Sequence, residues 1–494
     1  MLRPWHLRIA IRRNLRTAIY LQIAHALIEE IRRGRLVPGS ALPGTRELAE
    51  GLEINRKTIV QAYDELAAQG WVETDRTRGT FVSSELPVVN GNHVDGRTAP
   101  DRARMPAQPD FRMVGTAPSL PLLLPEANTL IFDDGVPDTR EVPVVALARA
   151  YRSALTRAAR RNRLGYGDPR GSLELRAAVS TMLNVDRGLI TTPDNICLTR
   201  GSQMAIYLAA RILAGPKDTV VVEELSYPPA RESFRAAGAE VVAVGLDAHG
   251  MQLDRLEEIC RKKRVRAVYV TPHHQFPTTV ILKPDRRLRL LALAEQFGFA
   301  IVEDDYDHEF HFVHQPMLPL ISADRWGKVV YIGSMSKLLT PSLRLGYLAA
   351  PKGFIDRAAA EIMMIDRQGD PATELAVADL IAEGEIHRHT RKAMRLYAER
   401  RLRMAQLLAE RFCERIEFAL PDGGLAIWVR FSERVDMEAL MRVARAKGVQ
   451  ILPAAAFTIS GKPIRATRLG FASLNEAELD LATRRLRQAL IAVA

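Results

Sequence analysis

Residues 333–351 read GSMSKLLTPSLRLGYLAAP. A single lysine, Lys337, stands between small hydroxyl residues, among them Ser334 and Ser336, and Arg344 follows seven positions later. The stretch just ahead, VVYIG at 329–333, is an unalternated β-branched run, the pattern of a strand buried on both faces. A lysine at the end of such a strand is carried out of the core. It is presented beside hydroxyls and a guanidinium fork, groups that suit a phosphate.

Working outward, the same pattern recurs in TVVVEE (219–224), EVVAVG (240–245), RAVYVTP (266–272), FAIVEDD (299–305) and LGYLAA (345–350). Helical stretches such as SQMAIYLAARIL and DRRLRLLALAEQFG fall between them. Apolar strands alternating with helices predict an α/β fold around a mostly parallel sheet. After about residue 380, Arg-rich helical segments and strands near LAIWVRF and RATRLGF predict a smaller α+β subdomain, approximately 380–494.

In such a sheet ligands bind beyond the carboxyl ends of the strands, where the remaining candidates cluster. Lys337 offers the amine that an aldehyde cofactor, pyridoxal 5'-phosphate (PLP), takes up as a Schiff base. Gly201, Ser202 and Gln203 open a helix after the strand NICLTR and form an anion site for its phosphate, with Ser334, Ser336 and Arg344. Asp304, ending a strand, offers the carboxylate that keeps a pyridine nitrogen protonated. Tyr306, two residues on, points the same way toward a ring hydroxyl, and Tyr227 offers a stacking aromatic. Taken singly, each of these residues also reads as a solvated or packing side chain; their order and spacing carry the assignment.

The N-terminal portion has a different logic. Ile19, Ile23, Leu27, Ile28 and Ile31 follow helical spacing within 17–33. Thr45 is expected to cap a second helix, RELAEGL, and Asn55 a third, RKTIVQAYDELAAQ, which Gly70 ends. WVETDRTRGTFVSS reads as two short strands joined by a charged turn. A plain three-helix bundle accounts for the helices, but not for basic residues at both the third helix (Arg56, Lys57) and the ribbon tip (Arg76, Arg78). The combination predicts a winged helix-turn-helix that binds double-stranded DNA.

The chain of 494 residues exceeds what one core holds, so domains at 1–84 and 129–494 are expected, joined by a Pro- and Gly-rich linker at 85–128. Its net charge of +11 favours a polyanionic partner, yet residues 1–84 hold only 13 Arg and Lys against nine Asp and Glu. Charge alone therefore does not locate the DNA site. Three scattered cysteines form neither a disulfide framework nor a zinc pattern, and no run approaches the roughly 18 apolar residues of a membrane helix. A soluble cytoplasmic protein is the expectation.

The stretch from Ile19 to Val82 resembles the GntR-type winged-helix domain over its full length. LGYGDPRGSLELR, LTRGSQMA, TPHHQFPTT, IVEDDYDHEF, SMSKLLTPSLRLGY and RLGFASL resemble fold-type I aminotransferases. In this order the two resemble the MocR subfamily of GntR regulators. The resemblance implies an internal aldimine at Lys337, with Asp304 on the pyridine nitrogen, Tyr306 on the phenolic oxygen and Tyr227 stacked. It gives the phosphate to Ser202, Gln203, Ser334, Ser336 and Arg344, and an effector's carboxylate to Arg468. Tyr166 matches a tyrosine that reaches the neighbouring subunit's phosphate, which implies a homodimer. DNA contacts are implied at Arg46, Arg56, Lys57 and Thr58, with Arg78 and Gly79 in the wing. The effector would be an amino compound or PLP itself.

Four positions depart from the family pattern. Glu53 and Asn55 replace a usual Gly and Ser; Asn55 still caps, whereas Glu53 is strained if its turn needs a positive φ. Phe276 replaces an asparagine that contacts the cofactor in many transaminases, and Thr279 a common glycine. An active aminotransferase with an accessory DNA-binding domain uses the same cofactor residues; Phe276 and the N-terminal domain favour regulation. His308, His311 and His314 with Glu309 have spacing that suits a metal, but beside a cofactor pocket they read as hydrogen-bonding residues, and no metal is expected.

Overall fold

The computed structural model describes residues 9–14, 17–75, 77–87, 109, 111–113, 126–313 and 317–493. Arg76 and His314 fall outside the described residues, as does most of the 85–128 segment. The chain divides into two units, Met1–Thr116 and Ala117–Ala494.

In the first unit the periodic apolar residues form the helix Ile19–Arg32, which buries Ile23, Leu27, Ile28 and Ile31. They pack against Ile59, Ala62, Tyr63 and Leu66 of the helix Arg56–Ala68, with Leu48 and Ala49 of the helix Thr45–Gly51 completing the core. Val72–Asp75 and Gly79–Val82 pair antiparallel, and Val72 and Val82 close the same core. The ribbon makes this a winged helix-turn-helix rather than a bare bundle. The Tyr63 hydroxyl donates to Pro43 O at 2.8 Å, tying the third helix to the chain before the second.

Asn55 caps as expected, accepting from Lys57 N at 2.8 Å. Thr45 does not. Gly44 occupies the N-cap and makes no side-chain bond, while the Thr45 hydroxyl accepts from Arg56 Nε at 3.2 Å. Its oxygen is turned toward the third helix, so it leaves the helix start uncapped. Glu53 has φ +53°, the left-handed conformation its turn demands.

In the second unit seven strands form one sheet. From edge to edge they are Ile196–Thr199, Gly346–Ala349, Val329–Ser334, Ala300–Asp305, Val265–Val270, Thr219–Glu223 and Glu240–Val244. All neighbours run parallel except Gly346–Ala349, which is antiparallel on both sides. The β-branched runs inside the sheet are buried between helices, as their lack of alternation requires, while the edge strand Glu240–Val244 is only half-buried. A second, five-stranded sheet carries Ile416–Phe418, Ala426–Phe431, Ala466–Gly470 and Val449–Pro453, packed on the helices Glu385–Phe412 and Glu476–Val493. Its last strand is Leu130–Phe132, which pairs parallel with Val449–Pro453. That pairing brings Asp133, Asp134 and Gly135, just beyond it, to the region where the larger sheet ends.

Two glycines allow close approaches at that end. A Cβ on Gly346 would lie 2.7 Å from Gly201 C and 2.8 Å from Ser202 N, so only glycine lets this strand support the start of the helix Gly201–Leu213. On Gly333 a Cβ would run into the Tyr347 ring.

Candidate functional site

Strand alternation sends the adjacent residues Asp304 and Asp305 to opposite faces of the sheet, with opposite results. The Oδ2 of Asp304 accepts from the Tyr269 hydroxyl at 2.7 Å, while its Oδ1 is buried with no partner. Burial pushes this carboxyl up to about 7, helped by the charges of Asp305 and Asp307 and opposed by Tyr269 and Lys337. Asp305 is equally buried, but His308, His273 and Arg187 outweigh the desolvation and hold it well below the usual range. It accepts from the Tyr331 hydroxyl at 2.7 Å, and His308 Nδ1 lies 2.9 Å away. Asp305 is thus held as an anion by its cationic neighbours and the Tyr331 hydroxyl, although its Oδ1 also lacks a hydrogen-bond partner, while Asp304 faces a pocket.

The pocket is lined by Asp134, Ser202, Tyr227, Tyr269, Thr271, Phe276, Asp304, Tyr306 and Lys337. It brings together six of the residues singled out in the sequence: Lys337, Asp304, Tyr306, Tyr227, Ser202 and Phe276. The half-buried Lys337 donates from Nζ to Gly135 O at 2.6 Å. The Tyr306 hydroxyl donates to His274 O at 2.9 Å and accepts from Arg468 Nη2 at 3.3 Å. Phe276 forms the centre of one wall, edge-on to Tyr227 (centroids 5.3 Å apart), Tyr306 (6.1 Å) and Phe457 (5.3 Å).

The remaining expected residues stand around this pocket. Gly201 opens its helix with φ +75°, and an added Cβ there would meet the Arg344 guanidinium at 3.2–3.3 Å. The fork of Arg344 therefore lies over the first turn of that helix, where it donates to Arg200 O at 2.9 Å. Ser334 Oγ accepts from Ser336 N at 3.2 Å. Gln203 donates to Ser233 Oγ at 3.2 Å and keeps its buried Oε1 unpartnered. Arg468 is fully buried, with Nε on Asp134 O (2.8 Å), Nη1 on Pro277 O (2.7 Å) and its guanidinium 4.9 Å above the Phe276 ring. Thr279 takes φ +64°, the conformation that makes glycine common there. Tyr166 lies outside the pocket, 79% exposed, with Arg367 stacked 4.1 Å from its ring.

Asp134, Gly135, Tyr269 and Thr271 escaped the sequence reading. The last two share a face with Asp304 because their strand lies parallel beside its own, a neighbour relation that spacing does not reveal. Of the histidines at 308, 311 and 314, the last lies outside the described residues, and among the described residues His308 and His311 do not form a metal-type group together. The group that forms is His273, Asp305 and His308, and Arg187 already balances its carboxylate at 3.9 Å.

On the winged helix, Arg46, Arg56, Lys57, Arg78 and Gly79 are exposed and Thr58 half-exposed. Arg78 donates to Asp75 Oδ2 at 3.0 Å across the wing turn, where Gly79 takes φ +110°.

Residues 19–82 match the profile of the bacterial regulatory proteins of the gntR family, and residues 128–486 that of aminotransferase class I and II. The probable rhizopine catabolism regulatory protein MocR of Rhizobium meliloti is 29% identical over 487 residues, 97% of this chain and 95% of its own. The HTH-type transcriptional regulator TauR of Rhodobacter capsulatus is 30% identical, over 95% of this chain and 96% of its own. Among solved structures, the α-aminoadipate aminotransferase LysN of Thermus thermophilus, complexed with N-(5'-phosphopyridoxyl)-L-leucine, matches with TM-score 0.69. It is 27% identical, covering 74% of this chain and 93% of its own.

A winged helix joined to an aminotransferase fold of type I defines a PLP-dependent, DNA-binding transcription regulator. The chain belongs to the MocR-type GntR regulators. The pocket fits that cofactor: a buried carboxylate oxygen lacks a partner, an amine and aromatic walls face it, and a glycine-built helix start lies under an arginine. No described helix is long and apolar enough to cross a membrane.

Proposed function

We propose that this regulator senses an amino compound, or PLP itself, through Lys337, and couples that event to its hold on DNA. The observation that carries the reading is the orphaned Asp304 Oδ1, buried within the same pocket as the lysine. When bound, PLP supplies an aldehyde that exchanges one amine for another and a ring that withdraws electrons. Lys337 supplies the amine for its attachment, and Asp304 holds a proton on the ring nitrogen. Tyr306 faces the ring hydroxyl and Tyr227 stacks on the ring. Gly201, Ser202, Gln203, Ser334, Ser336 and Arg344 hold the phosphate, and Tyr166 reaches it from a partner subunit in a homodimer. Arg468, with three of its five N–H groups engaged, keeps two for a ligand's carboxylate.

An amino effector would compete with Lys337 for that attachment, and Gly135 O is the acceptor for the Lys337 amine when it is unattached. The exchange changes DNA binding only as far as the effector binds the DNA-competent and incompetent states differently. On the DNA side Arg46, Arg56, Lys57, Thr58, Arg78 and Gly79 contact the duplex. Three unpaired cysteines suit a reducing cytoplasm.

The test is an absorbance spectrum of the pure protein, titrated with amino compounds while operator binding is followed in the same samples. The reading expects a cofactor band near the visible edge that amines perturb, absent in Lys337→Ala. A band that survives in Lys337→Ala overturns the site. Sustained turnover with 2-oxo acids and no sequence-selective DNA binding would favour a working aminotransferase instead.

A further inference from the structure

Asp134 lines the pocket, and the reading above gives it no task. Its neighbour Asp133 is consumed by the fold, accepting from Gly135 N at 2.8 Å, from Val136 N at 2.7 Å and from the Ser473 hydroxyl. The half-buried carboxylate of Asp134 makes no hydrogen bond or ion pair among the described residues.

Its backbone, by contrast, is fixed on both sides. Asp134 O accepts from Arg468 Nε at 2.8 Å, and the next carbonyl, Gly135 O, from Lys337 Nζ at 2.6 Å. Gly135 takes φ +99°, and a Cβ there would meet Arg468 Nη2 at 3.3 Å and Leu425 Cβ at 3.4 Å, so this turn admits little change. Asp134 is therefore held at the pocket with its charge unspent. Burial first, and then the nearby charge of Asp134, disfavour ionisation of Tyr227.

The pocket's charges can be assigned one by one. Among the described residues Lys337 is the only cation lining it, and it is committed to the cofactor. Asp304 is committed to the ring nitrogen, and the walls between are the aromatic rings of Tyr227, Phe276 and Tyr306. What is left facing a ligand is one anion. We propose that Asp134 selects effectors carrying a second cationic group: one amine takes the place of Lys337, and the carboxylate of Asp134 holds the other. The inference rests on the assignment of Lys337 and Asp304 above. It is independent of Arg468, which serves a carboxylate if the effector has one.

A hydrogen bond between charged partners accounts for about tenfold in affinity or more. Two matched pairs read it out by perturbation of the cofactor band: 1,4-diaminobutane against 1-aminobutane, and L-ornithine against L-norvaline. Within each pair only the second amine differs; between pairs only the carboxylate differs. The expected result is that, in at least one pair, the diamino member acts at a concentration about tenfold lower, or lower still. In Asp134→Asn the cofactor band should remain while the two members come within about twofold. Three outcomes overturn the inference: no preference in either pair, a preference that survives in Asp134→Asn, or loss of the cofactor band in that variant. A wild-type protein without any cofactor band would remove the underlying assignment, and the inference with it.

Discussion

The two units present their working side chains in opposite ways. On the winged helix Arg46 and Lys57 stand exposed without an ion pair among the described residues, and Arg56 makes one bond, to the Thr45 hydroxyl. In the pocket Asp304 is bonded to Tyr269, and Tyr306 separately to His274 and Arg468, behind aromatic walls, and among the pocket's lining side chains Asp304 Oδ1 is buried without a partner. An exposed site attracts its partner through charge that solvent and salt screen. A buried site works through desolvation, so protons tune it instead. The first should respond to ionic strength and the second to pH.

The sharpest break between them is Lys337→Ala. We expect complete loss of the cofactor band, measured by absorbance, while affinity for DNA compared between cofactor-free proteins stays within about twofold, because no residue of the winged helix changes. The converse is Arg56→Ala. Losing one phosphate or base contact should weaken operator binding by about 1–3 kcal/mol and lower the salt slope by about one if the contact is to phosphate. Binding isotherms at several salt concentrations check it, and the cofactor spectrum should not move. If each mutation affects both readouts equally, the separation drawn here is wrong.

The pH response belongs to the large unit. Asp304, Glu223 and Glu303 are all pushed up to about 7, first of all by burial. Each binds its proton more tightly folded than unfolded. Their contribution to stability is therefore complete below about pH 4 and is lost as pH rises through about 7. Asp305 is shifted the other way, so its contribution is present above the unfolded value and lost only on acidification below about 4. These carboxyls should make cofactor-free protein unfold at lower temperature at pH 8 than at pH 5, against His273, which burial holds neutral and whose contribution to stability grows as pH rises through about 6.5. Asp304→Asn should reduce that difference by one carboxyl's share, and thermal unfolding across this range measures it.

Much of this was legible in the sequence where local rules govern. The six apolar runs became strands, the Asn55 cap formed, and Asp304, near its strand's end, lines the pocket. Local rules failed at Thr45, because Gly44 occupies the cap and the threonine hydroxyl is drawn to Arg56, a tertiary contact that a capping preference does not contain. They also gave no hint that Leu130–Phe132 would pair with Val449–Pro453. That pairing joins segments more than 300 residues apart, and with it comes everything contributed by Asp134 and Gly135. Tyr269 was hidden for the same reason: a partner across a parallel sheet is fixed by strand order, not by spacing.

The smallest expected effects compare one feature that both units share, a non-glycine residue held at positive φ. Thr279 at +64° is β-branched and half-buried beside the pocket wall; Glu53 at +53° is unbranched and exposed in the turn before the helix Arg56–Ala68. The left-handed region costs an L-residue about 1–2 kcal/mol, more for a branched Cβ, while glycine gives back about 0.5–1 kcal/mol through the entropy of the unfolded chain. Thr279→Gly should therefore stabilise its loop by about 1 kcal/mol, partly offset by loss of the short bond from its hydroxyl to Thr278 O. Among the described residues the Glu53 side chain makes no hydrogen bond, so Glu53→Gly should gain about 0.5 kcal/mol. Amide hydrogen exchange resolves the two because it reads each unit locally: protection should rise by a few-fold at 271–282 in the first variant and about twofold at 45–68 in the second. Should Glu53→Gly instead lower protection there, the glutamate would be holding the turn through a contact of its own, and the exposed unit would be less simple than its surface suggests.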